Sequence, residues 1–210
     1  MKKILGIIAL ALIMTSCNGI FSGLYDVVET ASLPFGFKEI SENGDSGTIF
    51  IDARDYEKWT YINLKDKIVD TANMVNGDDE PRKWDFAMHR YDVKTNNGSA
   101  RQTDFISFEE LTAAGNYDEG VFTSDTLGKV IVDMSDMMNG NIIYHESNVN
   151  KVLSRWLKVD TSIMPPIYTM SGKVYLLRFD DGTMAALLFT DFMNESSVKG
   201  YITIRYMYPL

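Results

Sequence analysis

The alternation of apolar and polar positions divides the chain into three stretches of different character. The first opens on Lys2-Lys3, runs through an apolar segment from Ile4 to Met14, and closes on Thr15-Ser16-Cys17. The second, Asn18 to Gly47, has no sustained period and carries five glycines and Pro34 among scattered apolar residues such as Phe21, Leu24, Val27 and Phe35. Such a pattern predicts a tether or lead-in segment, part of which docks on the domain beyond it. The third stretch begins at Thr48. There, short β-branched and aromatic runs recur between turn residues, which predicts strands. The runs are Thr48–Ala53, Trp59–Leu64, Trp84–Lys94, Lys129–Met134, Asn141–Tyr144, Lys173–Phe179 and Met184–Phe192. A last run, Tyr201–Tyr208, alternates strictly enough for a half-buried strand. Asn97-Gly98, Asn139-Gly140, Ser171-Gly172 and Asp180-Asp181-Gly182 supply turns. One short helix is predicted from Ser107, with Glu109 and Glu110 in its first turn, through Ala114 to a stop at Gly115. The expected fold is all-β: a single antiparallel, sandwich-like domain with long loops and little helix.

Composition narrows the function. The 210 residues suffice for one domain with a sizeable core, and 45% hydrophobic with 23% charged residues is ordinary for a globular chain. A net charge of −9 and the lack of any Lys/Arg cluster argue against nucleic acid as a partner. The apolar run after Lys2-Lys3 is too short to span a bilayer and reads as a leader. Because the only cysteine of the chain comes directly after it, Met14-Thr15-Ser16-Cys17 resembles a bacterial lipobox. That resemblance implies cleavage before Cys17 and lipidation of its thiol; the plainer alternative is a secretory signal with an incidental cysteine. The expected organisation is a leader at 1–16, a lipidated Cys17 with a tether to 46, and a β domain at 47–210. With Cys17 lipidated, no thiol remains for a disulfide, a zinc site or a nucleophile.

Several motifs carry little. Gly44-Asp45-Ser46-Gly47 copies a serine-protease tetrapeptide, but both histidines, His89 and His145, lie downstream of it, so it reads as a turn. Asp78-Asp79-Glu80 and Asp180-Asp181 lack the spacing of a calcium loop and read as solvated turns. No nucleophile–base pair is legible, so a catalytic role is not expected and no metal site is assigned.

The most informative tract is Trp84 to Gly98, reading WDFAMHRYDVKTNNG. Together with Thr48–Leu64, Phe189-Thr190-Asp191, Lys199–Thr203 and Tyr206–Pro209, it resembles the HmuY-like haem-binding lipoproteins of Bacteroidetes-type bacteria. The resemblance spans about residues 47 to 210. It implies a domain that captures haem outside the cell, from host haemoproteins among other sources, and passes it to a TonB-dependent outer-membrane receptor. It also implies an outer-membrane lipoprotein, on the cell surface or periplasmic face or released from it. In the family's founding member two histidines ligate the iron, and their positions fall near Asn141 and Thr161 here, neither of them an axial ligand. Other members use a methionine pair. The corresponding loops hold Met137 and Met138 on one side and Met164, before Pro165-Pro166, on the other. These three are the candidate haem ligands, since a thioether is a soft, uncharged ligand. Each reads equally as a gap-filler in a chain with twelve methionines. Met74, Met88, Met134, Met184 and Met207 are expected to be fillers, and His89 is expected to belong to the frame. The alternative is a haem-independent lipoprotein that binds glycan or protein, with Tyr117, Trp156 and Tyr168 as stacking platforms.

Overall fold

A computed structural model describes residues 35–210. The leader, Cys17 and most of the tether therefore lie outside the described residues. Among the described residues the architecture is all-β, with antiparallel pairing throughout and one short α-helix.

Strand β1 (Gly36–Lys38) adds to β2 (Ser46–Asp52), so the fold already begins within the stretch read as a lead-in. Strands β3 (Lys58–Asn63) and β4 (Ile68–Asn73) form a hairpin. The Trp84–Lys94 run, expected as one strand, is instead a second hairpin, β5 (Phe86–His89) and β6 (Asp92–Thr95). Its turn is Arg90-Tyr91, and Arg90 takes a left-handed φ of 52° that apolar patterning does not reveal. After β7 (Ser99–Gln102) comes α1 (Phe108–Ala114), where it was expected. Ser107 caps it by accepting from the Glu110 N–H, and Gly115 closes it at a φ of 69°. Then come β8 (Thr123–Ser124), β9 (Thr126–Asp133), β10 (Ile143–Val149), β11 (Leu157–Asp160), β12 (Ile167–Met170), β13 (Val174–Arg178), β14 (Met184–Met193) and β15 (Lys199–Met207).

Seven strands form one sheet in the order β1-β2-β15-β14-β13-β7-β8, and four form another in the order β4-β3-β5-β6. The side-chain period of two sorts the core. Ile62, Phe86, Met88 and Val93 of the smaller sheet face Ile49, Ile51, Leu177, Leu187, Ile202 and Ile204 of the larger one, forming the main core. Trp156 is buried within it and stacks on Phe189 at 4.5 Å between centroids. The alternate residues point outward on each side. On the larger sheet, Val174, Leu176, Ala186 and Leu188 are covered by Phe108 and Leu111 of α1. On the smaller sheet, Trp59, Tyr61 and Ala87 are covered by Val130 and Val149 of the β9–β10 hairpin. Because β13 and β14 are buried on both faces, they read as continuous apolar runs rather than alternating ones.

Two hairpins, β9–β10 and β11–β12, stand apart from both sheets as two-stranded ribbons. Isolated ribbons of this size are marginal unless packed on something else. The first is anchored by Val130 and Val149, the second by Leu157 in the main core with Val159, Tyr168 and Met170 packed against it.

Candidate functional site

The free ends of these two hairpins enclose a cleft of about 670 Å³. One wall is Ile131, Met134 and Met137, from β9 and the 3-10 turn after it. The opposite wall is Leu157, Val159, Thr161, Met164, Pro166 and Tyr168, from β11, β12 and their connecting loop. Tyr56 and the β5–β6 turn, His89 to Asp92, form the floor. The volume falls within the roughly 300–1,000 Å³ range of small-molecule sites.

Two of the three candidate methionines, Met137 and Met164, thus line one cleft from opposite hairpins. Their side chains are accessible, Met137 being 44% and Met164 80% exposed. Met138 is 89% exposed and is not among the residues that line the cleft. The adjacent residues explain how the loops are shaped. The Asp136 carboxylate accepts from the side-chain amides of Asn139 and Asn141, folding the β9–β10 tip into its 3-10 turn, which Gly140 ends at a φ of 83°. Met164 precedes Pro165 across a cis peptide bond, in a loop where Asp160 accepts from the Ser162 N–H and hydroxyl. Thr161 lines the same cleft, whereas Asn141 does not.

Met134, expected to be a filler, is half-buried and packs in the wall of the cleft. Met88 and Met184 are buried in the core as expected. Trp156 is fully buried, with its Nε1–H donating to the Tyr91 carbonyl at 3.0 Å, so it offers no stacking platform. Tyr117 packs under α1, and Tyr168 is a wall of the methionine cleft itself.

The floor is polar and held tightly. His89, 1% exposed, lies with Nε2 2.7 Å from the Tyr56 carbonyl oxygen, so Nε2–H donates to it. Arg90 packs its guanidinium 4.3 Å from the Tyr56 ring and donates Nη1–H to the Arg54 carbonyl at 2.8 Å. Burial raises the Tyr91 hydroxyl to about 12, so it stays protonated as a donor at neutral pH. Sequence reading took the turn residues Arg90 and Tyr91 for strand, and Tyr56 lies in a polar stretch between strands; none carried a signal for a binding floor.

A second concavity of about 500 Å³ lies between the outer face of the smaller sheet and β10, lined by Trp84, Glu80, Lys94 and His145 among others. Lys94 is buried there against Trp59, Tyr61 and Trp84 and paired with Glu80; burial lowers its pKa, opposed by that pairing. His145 faces this side and not the methionines.

The groups around the cleft fit haem: apolar walls for a flat macrocycle, and the exposed thioethers of Met137 and Met164 on two different hairpins. Fold and site together define a β-sandwich protein with an apolar cleft between two ribbon tips rather than inside its core. The family emerges from comparison. A sequence model of the HmuY protein family matches residues 55–206, and the chain belongs to that family. It is similar to a solved structure from Bacteroides vulgatus described as a candidate HmuY-like haem-binding protein: 47% identity, 84% of this chain, 99% of that chain and a TM-score of 0.80. A candidate lipoprotein from Bacteroides fragilis is 49% identical over 84% of this chain and 96% of that one, with the same TM-score of 0.80. The ligand-free HmuY analog of Tannerella forsythia is 28% identical over 79% of this chain and 96% of that one, with a TM-score of 0.68. No curated protein matches. Among the described residues no helix is long and apolar enough to cross a membrane, and no group of His, Cys, Asp and Glu is placed to hold a metal ion.

Proposed function

We propose that this chain is a haem-capturing envelope lipoprotein, anchored through Cys17, that hands its cargo to a TonB-dependent outer-membrane receptor. The observation that carries the haem reading is the placement of Met137 and Met164 on facing hairpins around one apolar cleft. In this reading Met137 and Met164 are the residues that would hold the haem iron. Their thioethers would be soft, uncharged donors, which favour reduced iron relative to imidazole. Ile131, Leu157, Val159 and Tyr168 exclude water from its faces. Each ligand stands on a separate ribbon, so release needs only that one ribbon tip move, with both sheets undisturbed. The protein performs no turnover.

Titration of the purified chain with haem, oxidised and then dithionite-reduced, tests the reading. The expected result is a shifted and sharpened Soret band, strongest in the reduced state. Met137→Ala and Met164→Ala should each weaken binding by about tenfold or more, a loss of at least about 1.4 kcal/mol, while Met138→Ala should not. Absence of a Soret response in both oxidation states rejects haem binding. Binding that survives the Met137→Ala/Met164→Ala double change rejects the ligand assignment.

A further inference from the structure

Among the described residues the exposed methionines are Met137, Met138 and Met164, and all three stand at the tips of the two ribbons. The other described methionines are buried or half-buried, with Met88 and Met184 sealed in the cores. A thioether is readily oxidised, and a two-electron oxidant converts it to the polar sulfoxide. No thiol competes among the described residues, because the one cysteine of the chain is Cys17. Sulfur within reach of a small soluble oxidant is therefore concentrated at the cleft, which Met137 and Met164 line.

The three differ in what their oxidation would change. Met137 shares its wall with Ile131 and Met134, and Met164 shares the other with Leu157, Val159 and Tyr168. An S–O dipole on either wall must give up its water when an apolar ligand enters, and no hydrogen bond from that ligand repays the cost. The sulfoxide also presents oxygen in place of a soft sulfur donor, a poor match for reduced iron. Met138, the neighbour of Met137 in the same 3-10 turn, does not line the cleft, so its sulfoxide stays in water. The tips can take up this change with the sheets undisturbed, because the ribbons are anchored at their bases by Val130, Val149 and Leu157.

We propose that Met137 and Met164 form a sulfoxidation site, through which a hydroperoxide switches the cleft from holding its ligand to releasing it. A sulfur lone pair attacks one peroxide oxygen, the O–O bond breaks and an S–O bond forms. Sulfur loses two electrons. With hydrogen peroxide, the departing hydroxide takes the proton shed by the transferred oxygen and leaves as water. Methionine sulfoxide reductases of the two epimer specificities reverse the step, a dithiol becoming a disulfide as the oxygen leaves as water. The proposal rests on the haem reading, since oxidation removes the haem-holding role of the two thioethers. It adds to that reading a chemical control of release, with Met138 oxidised beside them to no effect.

The test treats the ligand-free chain with graded hydrogen peroxide, removes the oxidant and maps sulfoxides by peptide mass spectrometry. Each sample is then titrated with dithionite-reduced haem by its Soret band. Met137, Met138 and Met164 should oxidise well before Met88 and Met184, with circular dichroism unchanged. Haem affinity should fall by about tenfold or more in step with sulfoxide at Met137 and Met164. The reductases with dithiothreitol should restore it. Met138→Leu should lose affinity over the same peroxide range as wild type. Oxidation of Met88 and Met184 as fast as the tip methionines overturns the proposal. So does undiminished affinity in a chain with Met137 and Met164 both oxidised, or protection of binding by Met138→Leu. A loss that the reductases do not reverse, or that accompanies unfolding, also overturns it. In each of these outcomes the untreated chain still binds and the haem reading stands. No Soret response from the untreated chain overturns the haem reading and this proposal together.

Discussion

Asp85 is the second residue of the most informative tract of the chain, and its carboxylate accepts the Leu64 N–H at 2.6 Å, holding the end of β3 against the β5–β6 hairpin. Burial raises its pKa above the ordinary 3.8, with the Leu64 hydrogen bond pulling the other way. A carboxyl raised in the folded state stabilises the fold fully below its unfolded value, and that contribution is lost as pH rises through the folded value. Asp85→Asn keeps an acceptor for Leu64 and removes the titration. The wild-type chain should therefore gain stability relative to Asp85→Asn when the pH falls from 7 toward 4, by urea unfolding at each pH. A parallel pH dependence of the two proteins would refute this account. Two other residues of the tract hold the frame in the same way: His89 donates to the Tyr56 carbonyl, and Asn96 donates to the Trp84 carbonyl at 2.9 Å. Softness of ligand and position near the founding-member sites picked out Met137, Met138 and Met164 from twelve methionines, but could not tell that Met137 lines the cleft while its neighbour Met138 does not, because adjacent residues of a turn carry the same sequence signal. Arg90 and Tyr91 stayed hidden because a positive φ at a non-glycine residue has no sequence signature.

Elements with strong local signals were legible. The helix was, because Ser107 and Gly115 supply both caps and Glu110 also accepts from the Ile106 N–H at 3.0 Å. Ser107→Ala should cost about 1 kcal/mol of unfolding free energy, read by chemical denaturation, and should leave porphyrin binding unchanged because α1 covers the far face of the larger sheet. Loss of ligand affinity in that variant would mean that the far layer communicates with the cleft. The long apolar runs of β2, β13, β14 and β15 were equally plain, since each buries a side-chain row in the main core. Strands β4, β11 and β12 were not. They are short, with mixed burial and little alternation, and owe their form to pairing with a neighbour rather than to their own composition. Since β11 and β12 build one wall of the cleft, the sequence could indicate ligand types in its loops without showing that a wall stood there.

At the scale of the molecule, stability and function occupy different layers. The two sheets and α1 bury their apolar rows on both sides, whereas the ribbons β9–β10 and β11–β12 are held at their bases and expose Met138, Ile143, Ile163, Met164 and Ile167 near their tips. Local opening requires least free energy where few buried contacts must break, so the ribbon tips should exchange their amide hydrogens fastest. A ligand that binds only the folded chain stabilises it by about 2.7 kcal/mol when free ligand exceeds the dissociation constant a hundredfold, and the tips are where that stabilisation would be felt. Hydrogen exchange with and without reduced haem should therefore show slowing concentrated in residues 134–141 and 161–166, with little change in the already protected β13, β14 and β15. Uniform slowing over both sheets would instead mean that the ligand tightens the whole sandwich. Slowing confined to residues around Trp84, Lys94 and His145 would move the site to the opposite concavity and reject the methionine cleft.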